Sequence, residues 1–227
     1  MRRVAFISDV HSNLEALEAV LRETEGAELY CLGDLVGYGA DPNGVVKRLR
    51  EAGVVAVRGN HDEAVVTGDA SWFNAKAAMA AKWTSKVLSD DNRDYLRRLP
   101  LQIRTKFERT PAHLTHGSPD DNLWEYVEPE THTDLFGHYL GKLEVRLIGL
   151  GHTHRPFVWS GELGTVFNPG SVGQPRDGDP RASYALVDFE NGEVRPLRVK
   201  YDVEAAAAKI RTAGLPEPLA ARLFEGR

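Results

Sequence analysis

Five short apolar runs punctuate the chain: Val4 to Ile7, Leu29 to Leu32, Val54 to Val57, Ala112 to Thr115 and Val145 to Ile148. Each has the length of a strand and the apolar, partly β-branched content of a buried one. Between the first two, Leu14, Leu17, Val20 and Leu21 recur at helical spacing, with Ser12 or Asn13 placed to cap the start. Val45, Val46 and Leu49 form a second helical stripe before the third run. The first sixty residues therefore alternate β and α, as a parallel sheet requires.

Residues 70–98 are rich in Ala, Lys and Leu and lack a strand signal, and Pro100 closes the segment. They predict a helical pair, placed to cover the mouth of a site. Later strand candidates are Phe157 to Trp159, Gly164 to Phe167, Ser183 to Phe189 and Val194 to Val199, with Asn191-Gly192 as a hairpin signal. Residues 203–213 and 217–224 predict closing helices. With no repeat, linker or low-complexity tract, the expectation is one domain over 1–227, with a helical insertion near 70–98 and a C-terminal helical segment near 203–224.

Composition adds constraints. Hydrophobic residues make up 42% and charged residues 27%, a globular balance that excludes general disorder. The formal charge of -5 argues against a partner as anionic as long nucleic acid, while leaving room for a local positive site. Cys31, the one cysteine, lies in an apolar run and reads as a buried structural thiol of a reducing compartment. The N-terminal apolar run is shorter than the ~7 to 15 residues of a signal core, and nothing approaches the ~20 of a membrane span. A cytoplasmic protein without membrane contact is expected, and homo-oligomerisation is left open.

The chemistry lies in the polar residues at the end of each run. The first delivers Asp9 and His11, the second Gly33 and Asp34, and the third Gly59, Asn60 and His61. The fourth delivers His116 and Gly117, and the fifth Gly151, His152 and His154. Ligands bind at the carboxyl ends of strands in α/β sheets, so these side chains are expected to converge. Four imidazoles, two carboxylates and an amide oxygen suit first-row metals, manganese first, with iron, zinc, nickel or cobalt as alternatives. Seven donors are too many for one tetrahedral ion, whereas two ions sharing a carboxylate would use them all and attract an anionic phosphate.

The motifs Asp9-Val10-His11, Gly33-Asp34, Gly59-Asn60-His61-Asp62, His116-Gly117 and Gly151-His152-Thr153-His154 resemble, in order, those of the calcineurin-like metallophosphoesterases. The resemblance spans roughly residues 3–200 and implies a four-layer α-β-β-α sandwich of two mixed β-sheets flanked by helices. It implies Asp9, His11, Asp34 and His154 around one metal ion, and Asp34, Asn60, His116 and His152 around a second, with Asp34 as the bridge. His61 looks like the family's non-ligand catalytic histidine, a general acid for the leaving oxygen. The implied activity is hydrolysis of a phosphodiester or phosphomonoester of a small molecule or nucleotide, by attack of a metal-bridging hydroxide. The protein-phosphatase branch carries an acidic residue and an arginine where this chain has Gly37 and Tyr38. That departure argues against a protein phosphatase and for the small prokaryotic branch.

Other candidates read more plainly. Tyr38 and Arg176 are candidate substrate contacts, the latter on a turn-rich loop, 168–177, that borders the site. His113, His132 and His138 are assigned to packing or the surface. Trp72, Trp83, Trp124 and Tyr126 are assigned mainly to the core, with base stacking as the alternative. A non-catalytic scaffold on the same fold, as in the related retromer subunit, is the competing function.

Overall fold

The computed structural model describes residues 3–227. The chain opens with β1 (Val4–Ile7), α1 (Leu14–Glu23), β2 (Glu28–Cys31), α2 (Pro42–Glu51) and β3 (Val55–Ala56). Asn13 caps α1, its side-chain oxygen accepting the Ala16 N–H at 3.1 Å. Three helices come next: α3 (Asn60–Thr67), α4 (Ala75–Val87) and α5 (Asp90–Arg98), the last two being the expected pair over 70–98. Then come β4 (Gln102–Phe107), β5 (Thr110–Thr115), α6 (Pro129–Leu143), β6 (Leu147–Gly149), β7 (Phe157–Gly161) and β8 (Gly164–Asn168). The chain ends with β9 (Ala182–Asp188), β10 (Glu193–Val199), α7 (Val203–Thr212), α8 (Glu217–Ala221) and a 3-10 turn at Arg222–Phe224.

Two five-stranded sheets result, ordered β10-β9-β1-β2-β3 and β4-β5-β6-β8-β7. Both are mixed: β1 runs parallel to β2 and antiparallel to β9, and β5 parallel to β6 and antiparallel to β4. Alternation along β1 sets the layers. Val4 and Phe6 face the second sheet and join Tyr30, Leu32, Phe107, Leu114 and Phe167 in the core between the sheets. Ala5 and Ile7 face outward and pack with Leu17, Val20, Val46 and Leu49 of α1 and α2. On the far side Phe136 and Leu140 of α6 cover Ile148 and Val166. The layer order is α-β-β-α, as the motif resemblance implied, and all five motif-bearing strands end at loops that carry the site.

Three elements lie outside the sequence expectation. β4 is an edge strand that alternates exposed and half-buried positions, so it has no apolar run. α6 carries Thr, His and Gly, and only Phe136, Tyr139 and Leu140 are buried. α3 starts at Asn60 within the third motif, so that the site residues occupy a helix's first turn.

Candidate metal centre

The loops that deliver the site are held in unusual backbone. Asp9, His11, Asp34, His152 and His154 have φ of 53°, 49°, 55°, 69° and 60°, a left-handed region that costs non-glycine residues free energy. Hydrogen bonds hold the turns: Asp9 N–H donates to Gly33 O at 3.0 Å, His11 N–H to Asp34 O at 3.0 Å and His152 N–H to Asp9 Oδ2 at 3.1 Å. At Gly59 a side chain is sterically impossible, because a Cβ would lie 2.1 Å from Asp34 Oδ1.

The seven donors predicted from the motifs converge and are buried. His11 Nε2 lies 3.0 Å from His154 Nε2, and Asp9 Oδ1 is 3.2 Å from His154 Nε2. Beside them, His116 Nε2 lies 3.0 Å from Asn60 Oδ1 and 3.1 Å from His152 Nδ1. Asp34 Oδ2 stands between the two groups, 3.6 Å from His11 Nε2 and 3.4 Å from His116 Nε2.

Each of the four imidazoles spends its other ring nitrogen on a backbone carbonyl. His11 Nδ1–H donates to Val36 O at 3.1 Å, His116 Nδ1–H to Leu32 O at 2.8 Å, His152 Nε2–H to Trp124 O at 3.2 Å and His154 Nδ1–H to Gln174 O at 2.6 Å. A carbonyl can only accept, so the tautomers are fixed and the opposite lone pairs point at one another. Lone pairs facing at 3.0 and 3.1 Å repel unless a proton or a cation lies between them. Asp9 Oδ1, a buried carboxylate oxygen with no hydrogen-bond partner, adds a second unmet demand for positive charge.

Protonation energetics agree. Burial holds His11 and His154 well below the usual imidazole range, and burial with neighbouring His116 takes His152 down to about 3. Burial pushes the Asp9 carboxyl up to about 7, opposed by His116. Burial also opposes the charge on Asp34, but His116, His61 and His11 hold its carboxyl well below the usual range. Burial works against a proton on His116 as well, yet Asp34 lifts it to about 9. Asp9 with His11 and His154, His11 with Asp34 and His61, and Asp34 with His116 and His152 are the groups among the described residues that could hold a metal ion.

His61 differs from the other four. Its N–H backbone group donates to Asp34 Oδ1 at 2.8 Å, but its ring Nδ1 is buried and has no partner. That nitrogen lies where Gly37 leaves room, since a Cβ on Gly37 would approach it to 2.5 Å. Burial lowers the His61 pKa to about 4. Its ring stands 4.4 Å from that of Tyr38 and 4.3 Å from that of Phe73, centroid to centroid. Tyr38 is buried beside His11, and the Arg176 guanidinium sits over its ring at 5.6 Å.

Two sequence assignments change, and one residue without a role acquires one. The 168–177 segment is more than a bordering loop, because residues 171–175 are buried and brace the site. Ser171 Oγ–H donates to Asp9 O at 2.7 Å, and Asn168 Nδ2–H to Gly151 O at 2.6 Å. Trp72 and Tyr126 are 80% and 52% exposed and do not belong to the core. Trp72 lies 6.3 Å from Trp124, Phe73 5.6 Å from Trp124 and Tyr126 3.9 Å from His152, forming an open aromatic wall. Asp62, which had no assigned role, accepts N–H groups from Leu35, Val36 and Gly59 at 3.2, 3.0 and 3.0 Å, tying the Asp34 loop to the Asn60 turn. Its presence in the third motif was the available signal.

Residues 2–192 match the calcineurin-like phosphoesterase superfamily domain. An uncharacterized protein of Methanocaldococcus jannaschii, MJ0912, is 40% identical over 244 aligned residues, covering 99% of this chain and 98% of that one. Phosphodiesterase YfcE of Escherichia coli K12 is 32% identical over 204 residues, covering 83% of this chain and 88% of the enzyme. The crystal structure of a metallophosphoesterase from Sphaerobacter thermophilus superposes with a TM-score of 0.86 at 36% identity, covering 100% of this chain and 99% of that one. The chain therefore belongs to the calcineurin-like phosphoesterase superfamily, a metal-dependent family, and is a phosphoric ester hydrolase.

Proposed function

We propose that the chain, as one domain over 1–227, hydrolyses a small phosphate ester or nucleotide at a binuclear centre. Asp9, His11, Asp34 and His154 hold one divalent ion, Asp34, Asn60, His116 and His152 the second, and manganese is the first candidate for both. The observation that carries this reading is the fixing of four imidazoles by four backbone carbonyls, which aims their lone pairs at two points on either side of Asp34 Oδ2. Two ions there would supply an activated water and neutralise the charge that develops on phosphorus-bound oxygens.

The protein's own groups do the rest. Asp34 and Asp9 set the net charge, Asp62 keeps the two central loops in register, and His61 donates a proton from Nε2 to the departing oxygen. Burial, with the charges of Arg176 and His116 and against Asp34, leaves His61 neutral near pH 7, and an arriving anionic ester raises its proton affinity where that proton is needed. The exposed rings of Trp72 and Tyr126 offer a face to an aromatic or nucleoside leaving group. No feature of the site favours the scaffold reading, which needs neither the strained ligand backbone nor the aligned lone pairs.

The test combines metal analysis with turnover. Chelated protein reloaded with manganese is expected to bind two ions per chain and to hydrolyse bis-p-nitrophenyl phosphate or p-nitrophenyl phosphate. Asp34→Ala is expected to lose both ions. Full metal occupancy without turnover of either ester, in any of the candidate metals, would sink the reading.

A further inference from the structure

The C-terminal segment adds a charge to this site that the metal-ligand motifs do not include. Arg222, in the 3-10 turn, donates from a terminal guanidinium nitrogen to Gln174 Oε1 at 3.1 Å. Arg176 donates to the same oxygen from Nε at 3.3 Å and from a terminal nitrogen at 2.9 Å. Gln174 is buried, at 2% exposure, while the two arginines are half-buried. Two guanidinium ions therefore share one neutral amide oxygen, and neither has a carboxylate partner among the described residues. The acids nearest in sequence are committed elsewhere: Asp177 to Arg198, Asp179 to Arg181 at 2.6 Å and Glu225 to Arg227 at 3.2 Å.

Fastening the C-terminus does not require this charge. The Gly178 N–H donates to Gly226 O at 2.9 Å, and Leu223 is buried in a cluster with Tyr38, Ile210, Leu215 and Leu219. A neutral side chain could make the bond to Gln174 without bringing two like charges together. Placing them so is unfavourable until an anion lies across both forks, and the planar guanidinium matches phosphate or carboxylate oxygens in pairs. The location is also specific. Arg176 lies over Tyr38, whose ring centroid is 4.4 Å from His61 and 4.7 Å from His11, so the pair stands one aromatic ring away from the reacting centre.

We propose that Arg176 and Arg222, bridged by Gln174, form a second anion subsite that receives an additional phosphate or carboxylate of the substrate. The substrate class is then a phosphate ester that carries a further anionic group near the scissile one. Arg222 lies beyond residues 2–192, which match the superfamily domain, so this preference depends on the C-terminal segment as well as on the domain's Gln174 and Arg176. The proposal rests on the phosphoesterase reading for its catalytic consequence and on the arginine pair alone for anion binding.

The experiment compares thymidine 5′-(p-nitrophenyl phosphate) with the same ester carrying a 3′-phosphate. The metal-loaded wild type is expected to favour the 3′-phosphorylated ester in kcat/KM by about tenfold, the difference appearing mainly in KM. Arg222→Gln is expected to abolish that preference and Arg222→Lys to keep part of it. No preference in the wild type, or equal losses on both esters in Arg222→Gln, overturns the proposal. If the wild type turns over neither ester, the diester branch of the proposed function is what has failed. The subsite is then judged by calorimetric titration of pyrophosphate into protein held in EDTA. About tenfold weaker binding by Arg222→Gln supports the subsite, and equal affinity overturns it.

Discussion

His61 and the four carbonyl-bound histidines differ in one respect that can be measured: the four have one nitrogen tied to backbone, and His61 has neither ring nitrogen so tied. A ligand needs a fixed tautomer, whereas a proton donor must exchange its proton. His61→Ala should therefore retain both ions by metal analysis while kcat falls by ~10² to 10⁴. Undiminished kcat in a metal-replete variant would remove His61 from the chemistry. Asp62 acts through others, since its carboxylate accepts three N–H groups that set the loops of Asp34 and Asn60. Asp62→Ala leaves those donors buried and unpaired, so it should lower stability by about 2 to 4 kcal/mol and weaken metal binding, whereas loss of turnover at unchanged metal affinity and stability would contradict this role. At this scale the sequence was most informative. The proposed ligands stand out because Asp, His and Asn directly follow apolar runs, while Asp62 shows only as a member of the third motif, because two of its three backbone partners lie 26 and 27 residues away.

Elements were legible in proportion to how evenly they are buried. β1, β2 and the stripe of α1 bury nearly every apolar residue and show it in one dimension. β4 faces solvent along one edge, and α6 buries a narrow strip, so neither writes a clear period. The 168–174 segment is harder still, because its burial comes from backbone bonds and from the side chains of Asn168 and Ser171 reaching into other loops. Its composition of Asn, Pro, Gly and Ser reads as an exposed turn. Asn168→Ala should free the Gly151 carbonyl and loosen His152 and His154 together, lowering metal affinity by about 10- to 100-fold with the fold intact by circular dichroism. Unaltered metal affinity would mean that the loop is positioned by its glycines alone.

Across the whole molecule, one buried group sits apart from the centre. His113 on β5 is buried, has no partner for either ring nitrogen, and stands opposite Arg104 of β4. Its strand neighbours Ala112 and Leu114 fill the core between the sheets, which turns His113 toward the layer that carries α6. Burial, with Arg104, lowers its pKa to about 4 from an ordinary 6.5. The unfolded chain thus takes this proton first, so His113 leaves stability undisturbed above pH 6.5 and lowers it as pH falls from there to about 4. His113→Phe should flatten that loss, narrowing the fall in Tm over the interval by roughly 5 °C relative to the wild type. Parallel Tm curves for the two proteins would show that His113 is not kept neutral. The candidate centre draws on loops from both sheets, and His11 and His154, whose ring nitrogens meet at 3.0 Å, are 143 residues apart in sequence. No early folding intermediate that has closed one sheet alone can present both lone pairs. Metal uptake at the proposed His11–His154 position during refolding is therefore a clock for the docking of the two sheets, one that starts only after the slowest, longest-range contacts have formed.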